Sequence, residues 1–410
     1  MPTQKKREIE RNLPLYKILS LLKFTPFMLP VIVLFWQENG MDMFDVYLLQ
    51  GIYAVFVVLL EVPTGMVADR IGKKTSLLMG LFAFIFAVAV YGSGHCFLTF
   101  LWAELVLAVG SCLMSGADSA LLYDSLQYLD RESEYQQLEG EARSLAMVGF
   151  AVSNLLGGVI AHILSFRATV WITGIGPILA LFAVCGLREV QIVRRSATYK
   201  AEAAAYLRLI GDALRFVRKQ QLVRWHILLF AVLGASSTWL LWLYQPYMTL
   251  CGLPVWSFGV IFALFNFFAA FMSAIAHRVS KRFGDQNTLT LLMSLQILPP
   301  LLMSLFVTPL SFLFILGHQA VRAFMFPFVQ DLVLRHTYED KRATMLSLCA
   351  MSSRLFFALT CPFIGLMGKH LAIPTNMAGQ VVMLVVIFAV LSAMYLRIPA
   401  KYFTVKTREA

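Results

Sequence analysis

Four charged side chains stand inside stretches of sequence that are otherwise almost wholly apolar. Lys23, Glu104, Arg322 and Arg354 each lie within a run of about 20 mostly apolar residues, the length that crosses a bilayer as a helix. A charge at the centre of hydrocarbon costs about 2.5–3.5 kcal/mol even on the lenient insertion scale, so each needs a counter-charge, a proton or a ligand. Counting about 1.5 Å per residue from the ends of the runs, Arg322 and Arg354 fall near mid-depth. Their guanidinium forks suit carboxylates; pairing with acidic groups or carbonyls is the structural alternative. Glu104 is either a proton carrier or one side of a helix–helix hydrogen bond. His318 precedes Arg322 by four residues and shares its helix face, as a proton relay or as a buried polar contact. Trp239, Trp242, Tyr244 and Gln245 stand close together on another run. They form either an aromatic wall able to stack on a planar molecule or a lipid-facing surface.

The elements that must position these residues follow from composition. Of 410 residues, 59% are hydrophobic and 14% charged. A soluble domain carries about a quarter charged residues, and this chain has too few to cover a wet surface. Its mean hydropathy of +0.73 points to lipid as the main solvent. Twelve apolar runs lie near 13–36, 44–67, 75–94, 97–126, 142–163, 167–187, 223–249, 255–278, 287–307, 309–334, 342–366 and 377–397. Backbone groups cannot go unpaired in hydrocarbon, so these spans are expected to be helices, and the alternating pattern of a β-barrel is absent. The expected fold class is an all-α membrane protein of twelve transmembrane helices.

Basic residues sort by side. Lys5, Lys6, Arg70, Lys73, Lys74, Arg143, the stretch from Arg188 to Arg224, Arg278, Lys281, Arg335 and Arg342 all fall in loops after even-numbered spans or in the tails, whereas the opposite loops hold only Arg167 and Lys369. The positive-inside rule puts both termini in the cytoplasm. The net charge of +11 is therefore read as a topology signal, and no nucleic acid is expected as a partner. On this orientation Glu61, Asp118 and Asp124 lie toward the cytoplasmic side. The six scattered cysteines read as small apolar residues, with no metal site and no disulfide framework. The basic start MPTQKKREIERN lacks the apolar core of a cleaved signal peptide.

Polar segments divide the chain into a tail (1–12), six spans (13–187), a linker (188–222), six more spans (223–397) and a second tail (398–410). Within the linker Tyr206, Leu209, Ile210, Ala213, Leu214 and Val217 recur at helical spacing, as in a helix lying on the cytoplasmic membrane surface. The loop Gly65-Met-Val-Ala-Asp69-Arg70-Ile-Gly72-Lys73-Lys74 has a degenerate copy at His277–Gly284, and Asp124 has a counterpart at Asp331. Both offsets are about half a chain, as duplication would produce. In physical terms Gly65 allows close helix approach, Asp69 can accept from free N–H groups at a neighbouring helix start, and Lys73 and Lys74 hold the loop among lipid headgroups.

This loop resembles the loop 2–3 signature of the major facilitator superfamily. Glu61-Val-Pro63-Thr64-Gly65, Ser115-Gly116-Ala117-Asp118, Tyr123-Asp124-Ser125 and Arg342-Ala-Thr344 resemble one bacterial branch of it. The resemblance implies two pseudo-symmetric six-helix bundles and alternating access in a bacterial cytoplasmic (inner) membrane, with a monomer as the default. It implies that Gly65, Asp69, Arg70, Gly72, Lys73 and Lys74 form a conformational latch against the eleventh span near Arg342. Spans one, four, seven and ten line the cavity in that family, which gives Lys23, Glu104, Trp239, Trp242, His318 and Arg322, with Arg354, weight as substrate-binding residues. Glu61, Asp118, Asp124, Arg143, Asp331 and Arg342 are expected to form an inner gate. Two motifs of drug–proton antiporters are altered: Val106 stands where an Arg precedes Gly110 by four, and the Gly-Pro pattern of span five becomes Gly149, Ser153-Asn154 and Gly157-Gly158.

No GxxxxGK[ST] loop for ATP occurs, no Gly-x-Ser-x-Gly, and no nucleophile–base pair stands out, so an enzyme is not expected. No cofactor is expected either, and a proton gradient is the expected energy source. The leading expectation is a secondary transporter of a small molecule, exporting amphipathic compounds. Transport of an organic anion held by midplane Arg residues is the alternative. A membrane sensor without transport is the reading from a different class.

Overall fold

The computed structural model describes residues 4–190 and 199–399, leaving aside the side chains of 199–207, Val62 and Asp340. The described part of the chain is helical: α1 (Gln4–Glu10), α2 (Asn12–Leu22), α3 (Ile32–Glu38), α4 (Met43–Ile71), α5 (Lys73–Ser93), α6 (Phe97–Met114), α7 (Ala117–Tyr128), α8 (Tyr135–Ile163), α9 (Phe166–Thr173), α10 (Ile175–Gly186), α11 (Tyr199–Lys219), α12 (Gln221–Leu250), α13 (Trp256–Phe283), α14 (Asp285–Leu305), α15 (Phe314–Arg335), α16 (Arg342–His370) and α17 (Ile373–Leu396). Among the described residues, eleven segments are long and apolar enough to cross a membrane, and Leu29–Glu38 is a shorter apolar helix. Large apolar side chains such as Trp102, Phe182, Phe267 and Phe363 stay exposed on their outer faces, as lipid contact requires.

Three spans expected to be continuous are broken. Span one stops at Leu22 and resumes through a 3-10 turn at Leu29–Val31 into α3. Pro26 and Pro30 account for the break, because proline lacks the N–H a helix needs and pushes the preceding residue out of the helical region. Span four breaks at Ser115–Gly116, where Gly116 adopts a left-handed φ of 77° before α7 starts. Span six breaks at Gly174, between α9 and α10.

The chain clusters into two compact units. The first gathers the residues up to Met41 with Phe56–Glu202 and Pro254–Ala263, and the second gathers Asp42–Val55, Ala203–Leu253 and the chain from Leu264 onward. Within the first unit, glycines let helix backbones press against the broken span. A Cβ on Gly149 would lie 2.3 Å from the Leu21 carbonyl oxygen, one on Gly157 2.1 Å from that of Phe27, and one on Gly176 2.6 Å from that of Leu22. The altered glycine pattern of span five is thus a seat for the backbone of span one. Met28 N–H donates to the Thr173 hydroxyl at 3.1 Å, which satisfies part of the unwound stretch. Leu19, Leu77, Leu81, Leu121 and Val184 close the core beneath it.

In the second unit α12 is buried on most sides, with Phe230, Leu233, Trp239 and Tyr244 fully enclosed. The first turns of α4 pack on α16, where Gly365 admits Phe44 and Tyr47. The linker helix α11 does not simply lie on a lipid surface. Ala213 and Val217 are buried, and Phe216 packs on Tyr338 at 5.8 Å with the Lys341 ammonium 5.2 Å above its ring. Protein thus covers part of the apolar face that the sequence pattern assigns to membrane, while Leu209 and Leu214 remain exposed. Tyr206, residues 191–198 and the C-terminal basic residues beyond 399 lie outside the described positions.

Candidate functional site

In the first unit the two helix breaks meet through charge. Lys23, the C-cap residue of α2, forms an ion pair with Asp118 in the first turn of α7. Both positions suit the charges they hold, since a helix C-terminus favours a cation and an N-terminus an anion. Asp118 Oδ1 also accepts from the Ser119 N–H at 2.8 Å. The sequence reading had assigned Lys23 to a substrate site and Asp118 to a gate with Glu61, Asp124 and Arg143 or Arg342. The structure joins Lys23 to Asp118 instead, and Arg143 pairs with Glu139 at 3.0 Å. Glu104 is buried and accepts from the Tyr91 hydroxyl at 2.5 Å, the helix–helix hydrogen bond that was one of its two readings.

The loop between α4 and α5 is held from within the unit. Lys73 is buried and pairs with Asp124, and its ammonium also reaches the Ala120 carbonyl at 3.4 Å. Lys74 donates to the carbonyls of Cys185 and Leu187 at 2.9 and 2.7 Å, neutralising the C-terminus of α10. Glu189 caps α5, its two oxygens accepting from the N–H groups of Lys73 and Lys74 at 2.8 and 2.7 Å. Gly72 has a φ of 93°, and a Cβ there would meet the Glu189 carboxylate at 3.1 Å. These lysines are therefore internal ties and not headgroup anchors, because helix ends nearby offer better partners than water. The expected role of Gly65 is also corrected: no atom lies within 4 Å of where its Cβ would be, so it mediates no close approach in this conformation. Glu61, Asp69 and Arg70 are exposed along the end of α4.

The second unit holds a buried polar cluster. His318 is fully buried; its Nδ1 meets the Tyr244 hydroxyl and its Nε2 lies 3.3 Å from the Gln296 amide nitrogen. Gln296 donates to the Ser236 hydroxyl at 2.9 Å. Both imidazole nitrogens are occupied, so His318 is a fixed polar contact, the second of its two readings. One turn on, the half-buried Arg322 donates to the Gln319 side-chain oxygen at 3.3 Å, and among the described residues no carboxylate lies in ion-pair range of it. Trp239 is completely buried, so it does not face lipid, and its indole donates to the Thr360 hydroxyl at 3.0 Å. Trp242 and Arg354 are half-buried. Arg342 is exposed and pairs locally with Glu339 at 3.4 Å.

Asp331 pairs with Arg335, which also reaches Asp285 at 3.1 Å. This tie joins the end of α15 to the start of α14, as Asp124–Lys73 joins the end of α7 to the start of α5. The two ties sit at repeat-related places with their charges exchanged, which gives the internal duplication a structural expression. Sequence reasoning missed Tyr16, Glu139, Glu189, Gln296 and Thr360. Gln296, a single polar residue between apolar neighbours, was the one with a visible signal.

A helical chain that holds charged pairs and half-buried guanidinium groups inside apolar spans has the build of a membrane transporter. Residues 18–359 match the family model described as Major Facilitator Superfamily. The chain belongs to the major facilitator superfamily, whose members are transporters and not enzymes. It is 30% identical over 155 residues to an uncharacterised transporter of Buchnera aphidicola, a stretch covering 36% of each chain. It is 27% identical over 157 residues to the inner membrane transport protein YajR of Escherichia coli, covering 36% of this chain and 30% of that one. The chain thus matches about a third of the length of these curated relatives. The fold is similar to the nucleoside transporter NupG, with a TM-score of 0.78 at 13% identity over 94% of this chain and 99% of that one. It is also similar to a bacterial homologue of the lysosomal transporter Spinster, with a TM-score of 0.69 at 16% identity over 96% and 97%. At these identities the likeness is one of fold.

Proposed function

We propose that this chain is a proton-driven secondary transporter of the bacterial cytoplasmic membrane, working by alternating access and exporting small amphipathic compounds that carry an anionic group. The observation that carries the reading is Arg322. A guanidinium held partly out of water in the middle of α15, in contact with the Gln319 amide and the Tyr244 hydroxyl and paired with no carboxylate among the described residues, keeps donors in a fork that fits a carboxylate or phosphate. Tyr244 and Trp239 lie in the same unit and provide an apolar, aromatic setting, both of them enclosed in this conformation. On this reading the loop from Gly65 to Lys74 is the latch of the cycle, with Asp69 as the residue that exchanges partners and Lys73, Lys74 and Glu189 as its fixed base. Arg70 belongs with this latch, and the exposed Glu61 and Arg342 belong with the gate. Both termini lie in the cytoplasm, as the distribution of basic residues requires.

The test is a comparison of cargo classes. A deletion strain is screened for hypersensitivity to amphipathic anions, cations and neutral compounds, and counterflow of the hits is measured in proteoliposomes. Arg322→Gln is expected to lower counterflow of anionic hits at least tenfold, equivalent to about 1.4 kcal/mol of binding, with Arg322→Lys losing less. Anion counterflow unchanged by Arg322→Gln would remove the anionic part of the reading and leave export of neutral or cationic amphipathic compounds.

A further inference from the structure

The Lys23–Asp118 pair does not end in an isolated bond. Ser119, next along α7, donates through its hydroxyl to Glu139 Oε1 at 3.2 Å, and the Tyr16 hydroxyl donates to Glu139 Oε2 at 2.5 Å. Tyr16 is almost fully buried in α2, whereas Glu139, on α8, also accepts from Arg143, whose side chain is 74% exposed. The polar groups thus line up from the meeting point of two broken spans, across α2, α7 and α8, to a solvent-exposed end of α8, with Asp118 joined to Ser119 through the backbone N–H and Ser119 joined to Glu139 through its hydroxyl. Lys17 and Glu141 form a further pair beside that end, and Lys73 on α5 faces the next polar turn of α7, where it is satisfied by Asp124. Burying a lysine, an aspartate, a tyrosine and a glutamate in series costs desolvation that a packed apolar contact would avoid. Asp118 is the innermost carboxylate of this line. Its charge is stabilised by the ammonium of Lys23, at the C-cap of α2, and by the Ser119 N–H in the first turn of α7.

We propose that Asp118 is the carboxylate that binds and releases the coupling proton, with Ser119, Tyr16 and Glu139 as its route to solvent and Lys23 as the counter-charge it gives up on protonation. The step balances simply. One proton passes from water by way of Glu139 to an Asp118 oxygen, an O–H bond forms, and the Lys23–Asp118 ion pair becomes a neutral acid beside an ammonium. The Lys23 ammonium keeps its proton and is left free for another anion. This assignment moves the proton from Glu104, which is engaged with Tyr91, to a residue read from sequence as part of a gate. It rests on the proton-driven reading above for its role in transport.

The test reads the carboxyl group directly in the purified full chain in lipid, by infrared difference spectroscopy between alkaline and acid buffer. Wild type is expected to gain a protonated-carboxyl band that Asp118→Asn lacks and Glu104→Gln retains. Lys23→Gln guards against a simple folding defect in Asp118→Asn. Lys23→Gln removes the partner and leaves the carboxyl group in place, so it is expected to keep the band. After a pH jump, Glu139→Gln should reach the same band amplitude at least tenfold more slowly. A band that survives Asp118→Asn, or one that Lys23→Gln also loses, overturns the proposal. The same titration in protein that moves no solute under a pH gradient supports the proton site and counts against the transport reading alone.

Discussion

Asp124→Asn is expected to destabilise the protein by about 3–5 kcal/mol, the cost of removing one partner of a buried ion pair. Asp124 and Lys73 are both buried, and without the carboxylate charge the Lys73 ammonium keeps only neutral acceptors, the amide oxygen at 124 and the Ala120 carbonyl at 3.4 Å, among the contacts described. The loss spreads beyond one bond, because Lys73 also begins α5 and its N–H is capped by Glu189. The double replacement Lys73→Met with Asp124→Leu is expected to recover most of the loss, since an apolar pair of similar volume avoids desolvating either charge. Unfolding midpoints in detergent, read for wild type, the single variant and the double variant, check both statements. A single variant as stable as wild type would show that water reaches this pair freely.

The second large effect concerns two glycines that look alike in the sequence. Gly157→Ala is expected to cost about 1–3 kcal/mol, because a Cβ there would stand 2.1 Å from the Phe27 carbonyl oxygen, a backbone atom that cannot move without shifting the broken span. Gly65→Ala is expected to be neutral or to stabilise by about 0.5–1 kcal/mol: the site is open, and alanine favours a helix over glycine. Thermal midpoints separate the two, and flux adds a further reading for Gly65. If the latch requires close approach in another conformation, Gly65→Ala lowers transport while its midpoint holds.

The fold was legible where hydrophobicity alone decides it. Runs such as 75–94 and 377–397 need no tertiary information to be helices in lipid, and they reappear as α5 and α17. The breaks were less legible. Pro26 and Pro30 signal an interruption, but prolines 63, 246 and 362 sit inside continuous helices, so proline alone does not decide. At the site, Lys23, Glu104, His318 and Arg322 stood out because a polar group inside an apolar run is costly wherever it lands. Their partners did not. Tyr16 and Glu139 are 123 residues apart and each sits near a helix end, where polar residues are ordinary. Lys73 reads as a headgroup anchor until the packing of α7 brings Asp124 against it.

The central claim is that the chain moves a solute by spending a proton gradient. Purified protein is reconstituted into vesicles carrying an imposed pH difference, and accumulation of the amphipathic anions found in the growth screen is followed with and without a protonophore. The expected result is accumulation beyond equilibrium that collapses on adding the protonophore and is absent from vesicles without protein. Solute levels that match empty vesicles in either direction of the gradient would contradict the account.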